Sequence, residues 1–433
     1  MTTLQTDLTI IGSGIAGLSA ALFAVQEGLD ILLLGDAGAS SFASGLLDVL
    51  AAFPGEKINH CSDPWQGMAV LPEHFPKHPY NRLQSDEIYQ AVGQVTRALA
   101  TADLGYKGSE KENVQVITGL GTCKQTYRVP ESMWPGVKAF QDKSPCLLVD
   151  FHGLKDFSGP WLRSTLAREW PAIRTARIDF PETRGHSELF AVRLAQSLES
   201  ERVRQKLAAA VAPLIRDEQF LAFPALLGLY SSGAIRAELE ERLGVSIFEI
   251  PTMPPSVPGL RFLETMGGIL NRYSCFRRES GKRVSHIQRD ETGQIVLILG
   301  EGEFSSRVLS RQVLLATGRF LGGGLQADPE QIREVVFDLP VVQPSPDQGW
   351  HQEDFFDPGG HQANWAGLEV DSVFCPVDTK GNVVYENLYA VGSILAHSDW
   401  MRMKCGAGVA IASAFKAVQS ICTASNQEDR FSL

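Results

Sequence analysis

The sequence lacks the features that mark membrane-spanning, exported and nucleic-acid-binding proteins. No uninterrupted apolar run reaches the roughly 18 residues needed to cross a bilayer, and Met1 to Asp7 carry no basic region or small-residue cleavage site. The 39 basic and 50 acidic side chains give a net charge of -11, and no block of Lys and Arg follows a phosphate backbone. We therefore expect no membrane span, no export signal and no nucleic-acid partner.

Cysteine is scarce and scattered. The seven cysteines are widely separated and include no CxxC pair. Zinc sites and iron-sulfur clusters held by cysteine need closely spaced thiolates. We expect no metal site in this chain and a reducing compartment such as the cytoplasm.

The start of the chain predicts a βαβ unit. A buried strand, a glycine-rich turn, an Ala-rich helix and a second strand follow one another over residues 8–11, 12–17, 18–27 and 31–34. A parallel strand after so short a crossover requires the helix to lie on the sheet. The 433 residues leave room for two or three domains of about 150 residues each.

The turn carries Gly12, Gly14 and Gly17 in the GxGxxG spacing of dinucleotide-binding proteins. The first glycine allows the turn, the second admits a pyrophosphate, and the third lets helix and strand pack closely. The ribose-binding acid expected about 20 residues on falls on Gly35, with Asp36 one place later. Asp36 is either a substitute for this acid or a solvated turn residue, and the sequence leaves both open.

Two later segments resemble flavin motifs. Residues 313–318 (VLLATG) resemble the ATG motif of FAD-dependent oxidoreductases, and residues 387–393 (NLYAVGS) with 406–410 (GAGVA) resemble their C-terminal flavin motif. Ser393 stands where an acid is usual. The three motifs in this order favour a flavoprotein over a nicotinamide enzyme, with the α/β, Rossmann-like FAD/NAD(P)-binding fold and an inserted α/β cap domain.

The segment after the second strand adds two candidate cofactor residues. Ser44 and Gly45 are placed to face the cofactor, although a helix start with Ser44 as N-cap explains them equally well. The predicted cofactor-binding residues are Gly12, Gly14, Gly17, Ser44, Gly45, Gly318, Gly392, Ser393 and Gly406.

Candidate catalytic residues are few. Alcohol oxidation by hydride transfer to flavin needs a base near the hydroxyl, and an anionic substrate needs an Arg or Lys. His78 lies in a Pro-flanked loop, His397 just past the last flavin motif, and Arg261 after a proline-rich segment. A lone side chain of these types usually has a structural role, so the sequence assigns no base.

Segments along the whole chain resemble a known family, the B subunits of anaerobic glycerol-3-phosphate dehydrogenase. The most specific is the proline-rich segment PTMPPSVPGLR, because generic FAD proteins lack it. The matching segments are residues 42–48, 78–80, 121–122 with Thr126 and Pro130, 251–261, 315–318 and 322–325.

The resemblance implies a three-subunit assembly at the inner face of the cytoplasmic membrane. A sister flavoprotein oxidises sn-glycerol 3-phosphate to dihydroxyacetone phosphate, and a membrane-associated iron-sulfur subunit passes electrons to quinone. The family is credited with FMN, which suits the missing ribose acid, whereas the complete glycine fingerprint suits FAD, and both stay open. Other hypotheses are a stand-alone flavin oxidoreductase of another small anion and a non-redox assembly subunit.

We expect two domains. The flavin-binding domain is assembled from residues 1–55, 257–325 and 381–433. Residues 56–256 and 326–380 form the inserted cap, which faces the partner subunits.

Overall fold

The computed structural model describes residues 2–36, 38–55, 58–183, 187–291, 293–302, 305–345, 347 and 349–431. The chain forms two compact units. The first comprises Met1–Ala39, Asp48–Val95 and Gly267–Leu433, and the second comprises Ser40–Leu47 and Thr96–Met266.

The helices of the described residues are, in chain order, α1 (Ile15–Gln26), α2 (Pro64–His74), α3 (Ser85–Ala100), α4 (Trp134–Gln141), α5 (Gly159–Leu166), α6 (Ala191–Ser197), α7 (Glu201–Val211), α8 (Ser232–Leu243), α9 (Val257–Leu270), α10 (Trp400–Met403) and α11 (Gly406–Phe431).

The strands of the described residues are, in chain order, β1 (Thr2–Ile11), β2 (Ile31–Leu34), β3 (Ala52–Phe53), β4 (Asn59–His60), β5 (Tyr106–Lys107), β6 (Val114–Ile117), β7 (Cys123–Thr126), β8 (Val129–Pro130), β9 (Cys146–Phe151), β10 (Ile173–Ile178), β11 (Phe220–Pro224), β12 (Ser246–Ile250), β13 (Phe276–Glu279), β14 (Val284–Arg289), β15 (Ile295–Leu299), β16 (Ser306–Leu315), β17 (Leu325–Ala327), β18 (Ile332–Glu334), β19 (Val341–Val342), β20 (Gly367–Leu368) and β21 (Leu388–Ala390).

The first unit is built on a mostly parallel sheet. Its order is β13-β2-β1-β16-β15-β14, and β21 also pairs with β16. The strands β13, β2, β1, β16 and β21 are parallel to one another, whereas β15 is antiparallel to both β16 and β14. This arrangement confirms the predicted Rossmann-like βαβ start, because β1, α1 and β2 follow one another with the two strands side by side.

The strand β16 changes partner along one of its sides. Its first half, Ser306 to Ser310, pairs with the antiparallel β15. Its last three residues, Val313 to Leu315, pair with the parallel β21. Over its whole length the other side pairs with β1, from Thr2 opposite Ser306 to Ile11 opposite Leu315.

The helices α1 and α11 form the core on this sheet. Ten consecutive residues of α1, Ala16 to Val25, are buried, as expected for a helix that is apolar on every side. The ring of Phe23 in α1 meets the ring of Phe415 in α11 edge to face, with centroids 5.2 Å apart. The apolar Ala-rich sequence of α1 is thus explained by contact on all its faces.

The sequence analysis expects no segment with the length and hydropathy of a membrane span, but part of the last helix, α11, has both. Residues Gly406–Ala424 are long and apolar enough for one by length and composition, because small polar residues interrupt the run without making it hydrophilic. However, 67% of this window is buried inside the protein. A central core helix has the same composition.

The second unit contains a four-stranded parallel sheet of order β10-β9-β11-β12. The strand β9 is buried along its whole length, which is typical of parallel strands covered on both faces. Its core includes the wholly buried aromatic side chains of Phe151, Trp170, Phe180, Phe223 and Phe248. This unit confirms that an α/β domain is inserted into the flavoprotein fold.

The unit boundaries differ from those expected from the sequence at residues 40–47, 56–95, 257–266 and 326–380. The last segment belongs to the first unit because backbone hydrogen bonds tie it to the end of the sheet. The N–H of Ala390 donates to Phe374 and that of Ala396 to Leu368, each at 2.9 Å. The strands of this segment are short and have no strong periodic pattern, so its pairing with the first unit could not be predicted from the sequence.

The sequence pattern of residues 187–212 predicts a single helix, but the structure has two helices there. The first, α6, ends at Ser197, and the second, α7, begins at Glu201. Leu198 is wholly buried at the break, so the apolar pattern continues although the helix does not. Tertiary burial here outweighs local helix propensity.

Candidate cofactor site

The carboxyl ends of four parallel strands of the first unit lie in one register. Ile11, the last residue of β1, is paired with Leu34 of β2 and with Leu315 of β16. Leu315 is in turn paired with Ala390 of β21. Ligands of open α/β sheets bind beyond the carboxyl ends of the strands. The turns that follow β1, β16 and β21 therefore meet at the edge where such a ligand binds.

The first turn is pressed against β16. Gly12 has φ +113°, and a Cβ on it would lie 2.3 Å from the carbonyl oxygen of Ala316. A Cβ on Gly17 would lie 1.8 Å from the carbonyl oxygen of Gly12. The N–H of Gly12 donates to Leu34, and the N–H of Ala316 donates to Ile11, both at 2.8 Å. Only glycine fits at positions 12 and 17.

The second and third turns contact each other and the first helix. Gly318 has φ +70°, and a Cβ on it would lie 3.4 Å from the Ser393 hydroxyl oxygen. A Cβ on Gly392, with φ +79°, would lie 2.7 Å from the Cβ of Ala16. The N–H of Gly392 donates to the hydroxyl of Ser413 in α11 at 2.9 Å. The three glycine motifs, of which the first lies about 300 residues before the second, form one cluster.

Two helices begin at this edge. Gly14 is the N-cap of α1 and supplies no side-chain cap, and α11 begins at Gly406. The free N–H groups and the dipole of a helix N-terminus attract phosphate. A narrow crevice lies beside the start of α11, and its lining includes Arg319, Gly392, Ser393, Ser398, Trp400 and Gly406.

Thr317, in the middle of the ATG motif, has a buried hydroxyl. Among the residues that the structure describes, nothing hydrogen-bonds this oxygen. The Nε atom of Arg319, two residues on, is likewise buried without a partner. Buried polar atoms are nearly always paired, so both atoms fit a site at which a polar ligand supplies the missing partners.

The Arg319 guanidinium is otherwise held by backbone carbonyls. One terminal nitrogen donates to Leu395 at 2.7 Å and to Ser398 at 2.9 Å. The other terminal nitrogen donates to the carbonyl of Asn364. Burial lowers the pKa of Arg319 to about 10, although the charge of Asp399 acts in the opposite direction. The side chain is thus a fixed positive charge beside the ATG turn, and the motif analysis missed it.

The strand β2 ends at Leu34, so Gly35 does occupy the position where the ribose-binding acid is usual. Gly35 has φ +120°. The carboxylate of Asp36 accepts a hydrogen bond from the N–H of Gly281 at 3.0 Å, and its carbonyl accepts one from the hydroxyl of Ser13. Asp36 is exposed and takes part in backbone bonds of the turn.

Ser44 and Gly45 belong to the second unit. Residues 43–46 form no regular element, so the alternative of a helix start capped by Ser44 is wrong. Gly45 has φ +81°, and its carbonyl accepts from the hydroxyl of Tyr106 at 2.9 Å. A Cβ on Gly45 would lie 2.6 Å from the Cβ of Pro258. Two segments that carry the family resemblance, residues 42–48 and 251–261, therefore pack together.

His78, a weak catalytic candidate, is completely buried in the first unit. Its Nδ1 accepts from the N–H of Tyr80 at 3.2 Å, and its Nε2 lies 3.9 Å from the Cys405 sulfur. Burial, together with the nearby charge of Arg82, lowers the pKa of His78 to about 3. The imidazole is therefore neutral, and this environment fits a structural role better than proton transfer to a substrate.

Arg261, the other weak candidate, forms a buried ion pair in the second unit. Its two terminal nitrogens donate to the Glu249 carboxylate at 2.6 and 2.9 Å, and its Nε donates to the carbonyl of Gly228 at 2.8 Å. The two side chains are 3% and 0% exposed. Burial alone would raise the pKa of Glu249, but the charge and hydrogen bonds of Arg261 outweigh burial, so this pKa lies below its usual value. Arg261 thus has an internal partner instead of a substrate anion.

His397 has a partner that the sequence did not indicate. Its Nε2 lies 2.5 Å from the carboxylate of Glu369, 28 residues earlier in the chain. No local spacing rule connects these two positions. Among the described residues, no group of three or more His, Cys, Asp and Glu side chains could hold a metal ion.

Comparisons with known proteins agree with this geometry. The FAD binding domain family matches residues 7–409. The B subunit of the anaerobic glycerol-3-phosphate dehydrogenase of Vibrio vulnificus is 28% identical over 435 residues, which cover 96% of each chain. The protein of the same name from Actinobacillus pleuropneumoniae is 28% identical and covers 96% of this chain and 98% of its own.

Solved structures show weaker likeness. The E. coli quinol fumarate reductase FrdA matches with a TM-score of 0.43 and 10% identity over 98% of this chain and 71% of its own. The 3-ketosteroid delta1-dehydrogenase of Sterolibacterium denitrificans matches with a TM-score of 0.44 and 11% identity over 97% and 100%. Likeness of this size says nothing about a substrate.

The sequence left FMN and FAD open, and the family match favours FAD. That match spans most of the chain and includes the turns after β1, β16 and β21. The chain belongs to the FAD binding domain family.

Proposed function

We propose that this chain is the flavin-carrying B subunit of an anaerobic sn-glycerol-3-phosphate dehydrogenase. The observation that carries the proposal is the match to proteins of that name over 96% of both chains. The match covers 96% of this chain and therefore extends over both units. The overall reaction converts sn-glycerol 3-phosphate to dihydroxyacetone phosphate.

The residues at the carboxyl edge of the sheet fit FAD. Gly12 packs against the backbone of Ala316, and Gly14 caps α1, whose first-turn amides would donate to a diphosphate bound at this N-terminus. Gly17 keeps α1 close to the turn. Gly318, Ser393 and Arg319 present a backbone, a hydroxyl and a fixed cation beside the same edge. FAD supplies a two-electron acceptor when it is bound there.

Further proposed cofactor residues are Gly392 and Gly406, at the turn after β21 and the start of α11. Both lack a side chain, which allows a cofactor to approach the backbone. Ser44 and Gly45 lie in the second unit, and their contact with a cofactor stays a prediction from the sequence.

Partner subunits follow from the same proposal. None of the seven cysteines forms a disulfide, and their spacing provides no iron-sulfur ligand set. Electrons therefore leave through clusters on another chain, a membrane-associated iron-sulfur subunit that reduces quinone. A second flavoprotein completes the complex at the inner face of the cytoplasmic membrane.

The test begins with the cofactor. The full chain is purified, its flavin is released by heat, and the flavin is identified by chromatography. We expect FAD, whereas FMN contradicts the cofactor assignment and protein without flavin favours a non-redox assembly subunit.

The second part of the test addresses the complex. Affinity-tagged chain is isolated from its native host, and the associated proteins are identified by mass spectrometry. We expect a second flavoprotein, an iron-sulfur protein and quinone reduction that depends on sn-glycerol 3-phosphate. A chain that elutes alone and reduces its flavin with another small anion is instead a stand-alone oxidoreductase.

A further inference from the structure

His397 is held in a fixed position by the backbone around it. It has φ +62°, in the left-handed region that few residues other than glycine adopt. Its N–H donates to the carbonyl of Trp365 at 2.9 Å, and the N–H of Ala396 donates to Leu368 at 2.9 Å. Backbone strain held by surrounding bonds is common at functional sites.

Glu369 connects His397 to two cations. One carboxylate oxygen of Glu369 accepts from Arg82 at 2.8 Å, and the other lies 2.5 Å from Nε2 of His397 and 3.4 Å from the Lys77 ammonium. Burial raises the pKa of Glu369, but the hydrogen bond from His397 and the charges of Lys77 and Arg82 outweigh burial and lower it. Glu369 is therefore ionised and acts only as an acceptor.

Arg82 in turn fixes Glu369. Its Nε donates to the carbonyls of Val370 and Asp371, at 2.9 and 3.1 Å. One terminal nitrogen donates to the carbonyl of Lys77 at 3.2 Å, and the other to Glu369. The guanidinium has a role in positioning and is not available as a substrate clamp.

An ionised carboxylate at Nε2 decides the tautomer of His397. Nε2 must carry the hydrogen, so Nδ1 of the neutral ring carries the lone pair. Nothing in the described part of the chain hydrogen-bonds Nδ1, and the side chain is 21% exposed. A nitrogen with a lone pair is thus oriented by a carboxylate bonded to the other ring nitrogen, which is the arrangement of a general base.

The position of His397 relates it to the candidate cofactor site. Leu395 and Ser398, on either side of it in the chain, line the crevice at the start of α11. The carbonyls of these same two residues accept the hydrogen bonds of Arg319. The loop that carries His397 is therefore part of the wall of the crevice.

We propose that His397 is the general base of this chain, that Glu369 is its positioning residue, and that the substrate is an anionic secondary alcohol. In the step, the hydroxyl O–H bond breaks and its proton passes to Nδ1. The adjacent C–H bond breaks and the hydrogen leaves with the electron pair, as hydride, to bound flavin, while the carbonyl bond forms. The inference rests on the proposed function.

The electrostatic surroundings of the pair are defined by few groups. Lys77 and Arg82 contact Glu369 directly. His78 interacts with His397 through space but is neutral, as described above. Of these, Lys77 is 65% exposed and is free to turn toward a negatively charged substrate group.

The first test reads the tautomer by ¹⁵N NMR of full-length FAD-loaded protein, with His397→Gln to assign the signal. We expect an Nε2–H tautomer in the wild type, and a mixture of tautomers in Glu369→Ala. Glu369→Gln keeps a side-chain oxygen that accepts the Nε2 hydrogen, so we expect the Nε2–H tautomer again. This variant therefore tests the loss of the negative charge alone. A ring that carries its hydrogen on Nδ1 in the wild type overturns the proposal.

The second test measures anaerobic flavin reduction in a single turnover, with sn-glycerol 3-phosphate as probe. Loss of a general base slows such a step by about 10²- to 10⁴-fold, so we expect at least a hundredfold slower rate in His397→Gln with unchanged flavin content. Glu369→Gln shifts the acid limb of the pH–rate profile. His286→Gln, an exposed histidine, is the control with an unchanged rate.

The outcomes separate this inference from the proposed function. A His397→Gln rate within about threefold of wild type refutes the base. The flavin could instead be reduced by lactate and not by sn-glycerol 3-phosphate, with a slower rate in His397→Gln. That result supports the base and contradicts the proposed substrate. No reduction by either probe, in a chain that co-purifies with an iron-sulfur partner, overturns the base and leaves the proposed complex intact.

Discussion

Replacing Gly17 by Ala tests the geometry of the proposed diphosphate turn. The added Cβ would lie 1.8 Å from the carbonyl oxygen of Gly12 and 2.9 Å from its carbon. The turn and α1 must therefore separate by more than 1 Å, roughly the amount needed to restore a normal contact of about 3.4 Å. Overpacking in a buried core costs about 1–3 kcal/mol, and a clash with backbone puts Gly17→Ala at the upper end.

The expected result is a loss of about 3 kcal/mol in the free energy of unfolding, with at least tenfold weaker retention of flavin. Urea unfolding followed by circular dichroism measures the first quantity, and fluorescence of heat-released flavin measures the second. Gly268→Ala is the matched control, because Gly268 is an exposed residue of α9 with nothing within 4 Å of an added Cβ. This control stabilises the protein by up to about 1 kcal/mol.

Two results would refute the reasoning. If Gly17→Ala unfolds at the urea concentration of the wild type and keeps its flavin, the tight contact between α1 and the turn does not exist. If both glycine variants lose flavin equally, the loss does not come from the turn.

Three further predictions concern buried groups. Arg261→Met leaves the Glu249 carboxylate without its counter-charge, and urea unfolding should show a loss of about 3–5 kcal/mol. Ser413→Ala removes the acceptor of the Gly392 N–H, which should cost about 1–3 kcal/mol in the same assay and weaken flavin retention. His78→Gln should flatten the pH dependence of stability: between pH 7 and 5 the wild type loses about 2 kcal/mol more than the variant, because the unfolded imidazole, with a pKa near 6.5, binds a proton that the folded one, with a pKa of about 3, does not.

Each of these predictions has a control. Arg261→Met combined with Glu249→Gln should regain most of the lost stability, and an equally unstable double variant contradicts the ion-pair explanation. Ser420→Ala removes a hydroxyl of α11 that bonds only the carbonyl of Lys416, so an effect as large as that of Ser413→Ala rules out a special role for Gly392. An unchanged pH slope in His78→Gln, equal to that of the exposed His286→Gln, means that the buried imidazole is not the titrating group.

The sequence predicted those parts of the site that depend on local rules. Gly12, Gly318 and Gly392 follow strand ends, where positive φ angles select glycine, and Gly17 lies in α1, where a close contact with the backbone of Gly12 selects it. The register that brings their strands together was not predictable, because β16 pairs with β1 about 300 residues away. The order of three flavin motifs indicated that such pairing exists but not its partners.

The side-chain pairs could not be predicted from local sequence patterns, for a different reason. Glu369 and His397 lie in irregular segments, and neither has a neighbour in the sequence that suggests the other. Arg261 and Glu249 are only 12 residues apart, yet a strand and a helix start separate them. A single sequence shows that a charged residue is present, whereas only the fold shows whether an opposite charge lies beside it.

The pairing of β1 with β16 has a consequence for biosynthesis. During synthesis, β1 acquires its neighbour on that side only after residues 306–315 have been made. Until then an apolar strand edge is open to intermolecular association, since non-local parallel pairing is slow and aggregation-prone. Truncated products that end before residue 306 should therefore be insoluble, and successful production depends on completing translation before the nascent amino-terminal segment meets another copy of itself.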